Sequence, residues 1–283
     1  ENLKQLSYTP AVLQLYEVYN TKNNTYIITE LCDSDLSKRI KRKLQEHEVF
    51  GFIGQLVDGY LHLFRKDIIH RDLKPANILM KDGQLKIADF GFSIGAKEAS
   101  KPSKYNVGSP LYMAPESLRK NEYSFKSDIW ALGVIFYEML FGQPPWRAKN
   151  EKELLKKIET ESIQSLLLPT TTINPISREF ILKCLAFDRN DRMGPEELEK
   201  FSFRSQQQPQ ITLPELTPNR PFKEKVLIER VNQTTFCTPT EPIMMETEKK
   251  AEVKDFTKSV ERKDRQNLEN RLKKPENDDG ISR

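Results

Sequence analysis

The chain has 283 residues, enough for one large domain with an appendage or for two small domains. Its 45 Lys and Arg residues against 41 Asp and Glu leave a formal net charge of only +4, so nothing in the charge balance demands nucleic acid or an anionic membrane as partner. The cysteines Cys32, Cys184 and Cys237 are far apart and fit neither a disulfide framework nor a zinc site. This favours a reducing compartment and a cytoplasmic location.

Up to about residue 203 the chain alternates apolar-periodic segments with turn signals, which is the pattern of a packed domain. Strands are predicted where β-branched and aromatic residues cluster, and helices where apolar residues recur every three or four positions. A Lys-Asp-Gly turn at 81–83 is typical of a β-hairpin. The predicted strands are 25–29, 77–80 and 84–87, and the predicted helices are 49–64, 127–140, 151–158 and 178–185.

Two further segments bear on the kind of protein. The most apolar run, residues 129–141, is too short to span a bilayer and contains Glu138, so we expect a buried core helix and no membrane span. The basic run at 38–43 is interpreted as a solvated helix face. After residue 203 the composition becomes rich in Pro, Thr and charge, which cannot bury enough apolar surface to offset chain entropy. Residues 204–283 are therefore predicted to be a disordered tail.

Two short motifs carry the chemistry. Residues 70–77 read His-Arg-Asp-Leu-Lys-Pro-Ala-Asn, and residues 89–91 read Asp-Phe-Gly on the far side of the predicted hairpin. Phosphoryl transfer requires a carboxylate for the attacking hydroxyl, a cation for the phosphate and oxygen ligands for magnesium, and the two motifs contain all three. In residues and in order, both motifs resemble those of eukaryotic protein kinases.

The resemblance implies a role for each polar residue of these motifs. Asp72 matches the catalytic base that orients the proton of the substrate hydroxyl, and Lys74 is placed to reach the transferring phosphate. Asn77 and Asp89 match the ligands of the magnesium ions that bridge the phosphates of ATP. With a Lys at position 74, this loop resembles that of serine/threonine kinases. The resemblance therefore implies that the acceptors are Ser and Thr hydroxyls of protein substrates.

The segment after the first predicted strand resembles the hinge of a kinase. The resemblance implies that the backbone groups of Glu30 and Cys32 meet the adenine edge of ATP, that Asp35 lies near the ribose, and that Leu79 packs under the base. An alternative interpretation makes the same segment a strand end followed by an Asp that caps a helix, and the residues leave both open.

The resemblance makes 91–116 the activation segment. Arg71 precedes the catalytic Asp, as in kinases that are switched by phosphorylation of this segment, which implies an upstream activating kinase. The position that often holds the activating Thr is Tyr105, with Ser103 as the nearest substitute. Ser109 matches a hydroxyl that bonds to the catalytic loop.

Five residues match structural positions of the family. Asp128 resembles an anchor that accepts backbone hydrogen bonds from the catalytic loop, and Glu116 with Arg192 resembles a buried ion pair that holds the activation segment. His70 is expected to pack on Phe90. Removing either partner of the ion pair would leave a buried charge unpaired.

The implied fold is α+β and protein-kinase-like, with a mostly helical C-lobe that is complete and an N-lobe sheet that is only partly present. The expected boundaries are 1–32 for the N-lobe remnant and hinge, 33–203 for the C-lobe and 204–283 for the tail. Neither a Gly-rich phosphate loop nor a Val-Ala-Ile-Lys-type lysine precedes Glu1. We therefore expect an N-terminally truncated kinase that is weakly active or inactive by itself, because both parts position and stabilise the phosphates.

Two other functions remain as alternatives. One is a catalytically weak kinase-derived scaffold or pseudokinase that acts through protein binding, which the four retained polar residues of the motifs disfavour. The other is a small-molecule phosphotransferase, which the long activation segment disfavours. Within the kinases, residues 108–116 and the helix near 150–159 resemble the autophagy-initiating and calcium/calmodulin-type branches.

Overall fold

The computed structural model describes residue 6 and residues 9–100, 103, 107–167, 173–201, 225–232 and 243–246. The chain divides into two compact units. The first, called the helical unit below, contains residues 1–14 and 32–215; the second, called the sheet unit, contains residues 15–31 and 216–283.

The described part of the chain combines helices with small antiparallel sheets. The strands are β1 Leu15–Asn20, β2 Asn24–Glu30, β3 Ser34–Asp35, β4 Ile68–Ile69, β5 Ile78–Lys81, β6 Gln84–Ile87, β7 Ile94–Gly95, β8 Lys225–Asn232 and β9 Ile243–Glu246. The helices are α1 Leu36–Ile40, α2 Glu46–Arg65, α3 Pro115–Lys120, α4 Phe125–Phe141, α5 Glu151–Thr160, α6 Ile163–Leu166, α7 Pro175–Cys184 and α8 Pro195–Lys200. Short 3-10 turns lie at Pro75–Asn77, Glu98–Ser100 and Pro110–Tyr112.

The core of the helical unit is built around α2 and α4. A capping box of Gln45 and Glu48 starts α2, whose apolar positions recur on one face and are buried. The long apolar run predicted to be a core helix is α4, which ends at Gly142 in the left-handed conformation (φ 75°). Because α4 is apolar on nearly every side, it packs against α2 and α7, and its central residues are buried.

A glycine lets α4 and α7 approach closely. A Cβ atom at Gly133 would lie 2.6 Å from the Cβ of Cys184 and 2.9 Å from a methyl carbon of Leu185. No Cβ atom fits at such a distance, so the packing of the two helices requires glycine at position 133.

The predicted hairpin is formed by β5 and β6. Its turn consists of Asp82 (φ 51°) and Gly83 (φ 77°), the positive φ pair that a two-residue hairpin loop needs. The residue before the turn pairs with the residue after it, Lys81 with Gln84. On its other side β5 pairs with β3, so the hairpin belongs to a three-stranded sheet of order β3-β5-β6.

The N-terminal segment of the helical unit is tied to this hairpin. Leu13 donates its N–H to the carbonyl of Ile87 at 2.9 Å, and Ile87 donates to the carbonyl of Ala11 at 2.9 Å. Gly59 of α2 lies beneath: a Cβ there would be 3.0 Å from the Cβ of Ala11. These contacts hold the end of β6 in place, just before the Asp-Phe-Gly motif at residues 89–91.

The sheet unit contains a four-stranded antiparallel sheet of order β1-β2-β8-β9. Strands β8 and β9 lie within residues 204–283, for which the sequence predicts a disordered tail. Val226, Leu227 and Ile228 form an apolar β-prone run in β8, and this strand pairs with β2. The rest of the predicted tail lies outside the described residues.

No helix in the described ranges combines the length and the apolar character needed to cross a membrane.

Candidate active site

The first motif follows β4 and is held from below by α4. Both oxygens of Asp128 accept backbone N–H groups, from His70 at 2.7 Å and from Arg71 at 3.0 Å. Asp128 is only 2% exposed, and Arg71 has a positive φ of 69°. The predicted anchor is thus confirmed, and it fixes the backbone two residues before Asp72.

Burial controls the charges around this anchor. Burial raises the pKa of Asp128 to about 7, and the backbone hydrogen bonds from His70 and Arg71 offset part of that rise. Burial also lowers the pKa of His70, whose Nε2 lies 3.0 Å from the carbonyl oxygen of Ala88. The His70 ring packs on Phe90 with centroids 5.0 Å apart, as predicted.

Asp72, Lys74 and Asn77 form one hydrogen-bonded cluster. The Nζ of Lys74 donates to Oδ2 of Asp72 at 2.8 Å, and Nδ2 of Asn77 donates to the same oxygen at 2.9 Å and to the Asp72 carbonyl at 2.9 Å. Asp72 is 4% exposed. Its Oδ1 is buried and accepts no hydrogen bond from the described residues. One carboxylate oxygen is therefore held in place while the other can accept a further donor.

Asp89 lies close to this cluster along the backbone. The N–H of Ala88, the preceding residue, donates to the carbonyl of Asn77 at 2.9 Å. Asp72 and Asp89 both raise the pKa of His70 electrostatically, against the larger effect of its burial. Asp89 itself is exposed and has a positive φ of 60°. The amide oxygen of Asn77 and the carboxylate of Asp89 are hard oxygen ligands of the kind that magnesium takes, so these two residues fit that ion.

The residues predicted around adenine and ribose fall in both units. In the helical unit, Asp35 of β3 pairs directly with Leu79 of β5, and Cys32 is half-buried. Glu30 is the last residue of β2 in the sheet unit and is 4% exposed. The structure thus places Asp35 and Leu79 side by side.

Asp35 also has the capping role of the alternative interpretation. Its Oδ1 accepts the N–H of Lys38 at 3.1 Å at the start of α1, and its Oδ2 lies 2.9 Å from the Nζ of Lys38. The hydroxyl of Ser37 donates to it as well. A helix cap of this kind leaves the function of Asp35 toward a nucleotide open.

The activation segment meets the first motif through Ser109 and Gly108. Lys74 donates a second hydrogen bond to Oγ of Ser109 at 2.8 Å, which confirms the predicted contact with the catalytic loop. Gly108 has a φ of 108°, and a Cβ there would lie 2.6 Å from the carbonyl oxygen of Arg71. Only glycine fits this close approach.

Tyr123 helps to hold the activation segment beside the first motif, a role that the sequence analysis did not predict. Its hydroxyl accepts the N–H of Val107 at 2.9 Å and donates to the Val107 carbonyl at 2.8 Å. The guanidinium of Arg71 lies over its ring, 5.3 Å from the centroid, while Nε of Arg71 donates to the carbonyl of Phe92 at 2.5 Å. A single tyrosine with no motif around it carries no signal for such a role.

The end of the activation segment is held by the predicted ion pair. Arg192 bonds to Glu116 with both terminal nitrogens, at 2.7 and 2.9 Å, and the Arg192 side chain is fully buried. This bidentate geometry is the strong form of an Arg–carboxylate pair. Of the candidate phosphorylation sites, Ser103 donates its N–H to the carbonyl of Asn121 at 2.9 Å, and Tyr105 lies outside the described residues.

An open hollow of about 710 Å³ lies beside Ser109. Pro110 and Leu111 form one wall, and the start of α5 forms the other. Leu111 is among the few large apolar side chains that are exposed in the described structure. The hollow therefore has an apolar wall one residue from the hydrogen bond between Lys74 and Ser109.

Comparison with known proteins identifies the class. The protein kinase domain family matches residues 1–203, which is more than half of the chain. The chain therefore belongs to the protein kinase family, and its α+β fold, with a helical C-lobe and a partial N-lobe sheet, is the fold of that family.

Several similar proteins are named as protein kinases, two of the following three as serine/threonine-protein kinases. Serine/threonine-protein kinase atg1 of Dictyostelium discoideum is 38% identical over 205 residues, covering 69% of this chain and 30% of that protein. Calcium-dependent protein kinase 5 of Plasmodium falciparum is 34% identical over 205 residues, covering 70% and 36%. Serine/threonine-protein kinase ULK3 of Rattus norvegicus is 37% identical over 194 residues, covering 65% and 40%. The chain thus spans well under half the length of each of these relatives.

Proposed function

We propose that this chain transfers the γ-phosphate of ATP to Ser and Thr hydroxyls of protein substrates. The observation that carries the proposal is the state of Asp72. One of its oxygens is fixed by Lys74 and Asn77, and the other is buried and open to a donor. That is the arrangement a base needs in order to accept or orient a hydroxyl proton.

Each neighbour of Asp72 has a role in the proposal. Lys74 would offer its ammonium group to the transferring phosphate. The same group donates hydrogen bonds to Asp72 and Ser109 and so fixes their positions. Asn77 and Asp89 would hold magnesium with their side-chain oxygens. When bound, the ion neutralises the phosphates and orients them for in-line transfer. The clustering of Asp72, Lys74 and Asn77 supports a catalytic function over the scaffold alternative.

Nucleotide binding is proposed for the residues that the resemblance implies. Glu30 and Cys32 would meet adenine through their backbones, with Asp35 near the ribose and Leu79 against the base. The pairing of Asp35 with Leu79 supports this for two of the four residues. The proposed boundaries remain 1–32, 33–203 and 204–283.

The setting of the enzyme is also part of the proposal. We expect protein substrates, an upstream kinase that acts on the activation segment, no nucleic-acid partner and a cytoplasmic location.

The proposal is tested by a kinase assay with a mixed Ser/Thr peptide library, run on this chain and on a version extended upstream by a kinase N-lobe. In the extended protein, Asp72→Asn should reduce turnover by at least 1,000-fold with an unchanged fold. Asp191→Asn, which changes an exposed carboxylate in the same unit, should retain it. Substantial turnover by Asp72→Asn would refute the assigned base, and no activity in either length would favour the scaffold.

A further inference from the structure

The hydroxyl of Tyr123 holds both backbone groups of one residue in the activation segment. It accepts the N–H of Val107 at 2.9 Å and donates to the carbonyl of the same residue at 2.8 Å. Tyr123 is 6% exposed, and burial raises the pKa of its hydroxyl, so this group keeps the proton that it donates. Two hydrogen bonds to one residue fix both the position and the direction of the backbone there.

Val107 lies directly before the two residues of the segment that contact the first motif. Gly108 lies so close to the carbonyl oxygen of Arg71 that a Cβ at position 108 would be 2.6 Å from it. The next residue, Ser109, accepts a hydrogen bond from Lys74 at 2.8 Å. Because consecutive Cα atoms are held about 3.8 Å apart, a shift of residue 107 is passed on to residue 109.

Lys74 connects Ser109 to the proposed base. Its Nζ donates to Oγ of Ser109 and to Oδ2 of Asp72, both at 2.8 Å. The position of this one ammonium group therefore depends on both acceptors. If Ser109 moves away, Lys74 loses one acceptor, and the hydrogen bond that fixes Asp72 is weakened with it. A continuous path of contacts thus leads from the hydroxyl of Tyr123 to Asp72.

The ring of Tyr123 makes a separate contact. The guanidinium of Arg71 lies 5.3 Å from the ring centroid, and Nε of Arg71 donates to the carbonyl of Phe92. Replacement of Tyr123 by Phe removes the hydroxyl and keeps the ring beneath Arg71. The effect of the hydroxyl can therefore be measured by itself.

We propose that Tyr123 is a positioning residue for phosphoryl transfer, whose hydroxyl acts through Val107, Ser109 and Lys74 to keep Asp72 in place. The proposal rests on the proposed function, since Asp72 is the base only in that account. Loss of such a group should lower kcat and leave the KM for ATP unchanged, because the residues proposed to bind the nucleotide are not altered.

The kinetic test is a double-mutant cycle of Tyr123→Phe and Ser109→Ala. It uses the more active of the two lengths in the kinase assay above, with one peptide selected from the library. Each single change should lower kcat by about tenfold, and the double variant should be no slower than the slower single variant, because both changes act through Lys74. Tyr137→Phe, which removes the hydroxyl of a partly buried tyrosine in α4, is the matched control and should retain kcat.

Hydrogen exchange tests the first step of the path without any need for turnover. Two amides are informative: that of Val107, and that of Tyr112, which donates to the carbonyl of Ser109 at 2.9 Å. In this chain both should exchange about tenfold faster in Tyr123→Phe than in Tyr137→Phe or the unchanged chain. The amides of α4 should keep their protection in all three proteins.

Four outcomes would overturn the proposal. The first two are equal kcat in Tyr123→Phe and Tyr137→Phe, and additive losses in the double variant, which would separate Tyr123 from Ser109. The others are unchanged exchange at Val107 and Tyr112, and a loss of α4 protection in Tyr123→Phe, which would make the role of the hydroxyl one of general stability. Absence of turnover by the unchanged protein at both lengths would instead contradict the proposed function, and the exchange result then decides whether Tyr123 positions this segment.

Discussion

Single side chains in the candidate active site are positioned by hydrogen bonds from their neighbours. Asp72 is held by Lys74 and Asn77, and the backbone before it is held by Asp128. Asp128 is therefore a positioning residue: its carboxylate accepts two N–H groups that would otherwise be buried without partners. Its own charge is costly in that buried setting, and this gives a measurable pH dependence.

The first prediction concerns that charge. The pKa of Asp128 is about 7 in the folded protein against 3.8 ordinarily, because burial disfavours the ionised form. Between these values the folded state binds a proton that the unfolded state has lost, so this group's contribution to stability falls as pH rises from about 4 to 7. A shift of this size corresponds to about 4 kcal/mol.

The measurement is the free energy of unfolding by urea at pH 5 and pH 7.5. His70 acts in the opposite sense, since burial lowers its pKa and charging it at low pH destabilises the fold. The comparison with Asp128→Asn separates the two: the stability advantage of the unchanged chain over the variant should be smaller at pH 7.5 than at pH 5. An advantage that is constant or larger at pH 7.5 would contradict the account.

At the scale of elements, the unit depends on how closely α4 approaches α7. Gly133 faces Cys184 and Leu185 with no room for a methyl group, whereas Gly54 of α2 has no atom within 4 Å of where its Cβ would lie. The two glycines are both inside helices, so they differ in packing and not in propensity.

The second prediction compares alanine at these two sites. Gly133→Ala should lower the free energy of unfolding by about 1–3 kcal/mol, because the helices must separate. Gly54→Ala should raise it by up to about 1 kcal/mol, because alanine is the better helix former. Thermal and chemical denaturation would measure both, and equal effects of the two changes would show that the contact between α4 and α7 is not tight.

Across the whole molecule, the sequence predicted those features that residues close together in the chain, or a characteristic motif, determine. The hairpin turn at Asp82 and Gly83, the core helix and the contacts of Asp128, Ser109 and Arg192 follow from motifs whose spacing is short or characteristic. The pairing of β2 with β8 did not follow, because it joins residues at opposite ends of the chain and β8 lies in a polar tail. The contact of Tyr123 with Arg71 was missed because no local sequence pattern specifies it.

We propose that Asp72, Asn77 and Asp89 form one centre, in which Asn77 and Asp89 hold magnesium with ATP and Asp72 faces the acceptor hydroxyl. Titration calorimetry of ATP against the chain, with excess Mg²⁺ and again with EDTA, tests it most directly. We predict at least tenfold tighter binding with Mg²⁺ for the unchanged chain and for Asp191→Ala, and loss of that difference in Asp89→Ala. Magnesium-dependent binding that is unchanged in Asp89→Ala would refute the assignment of Asp89 as a magnesium ligand.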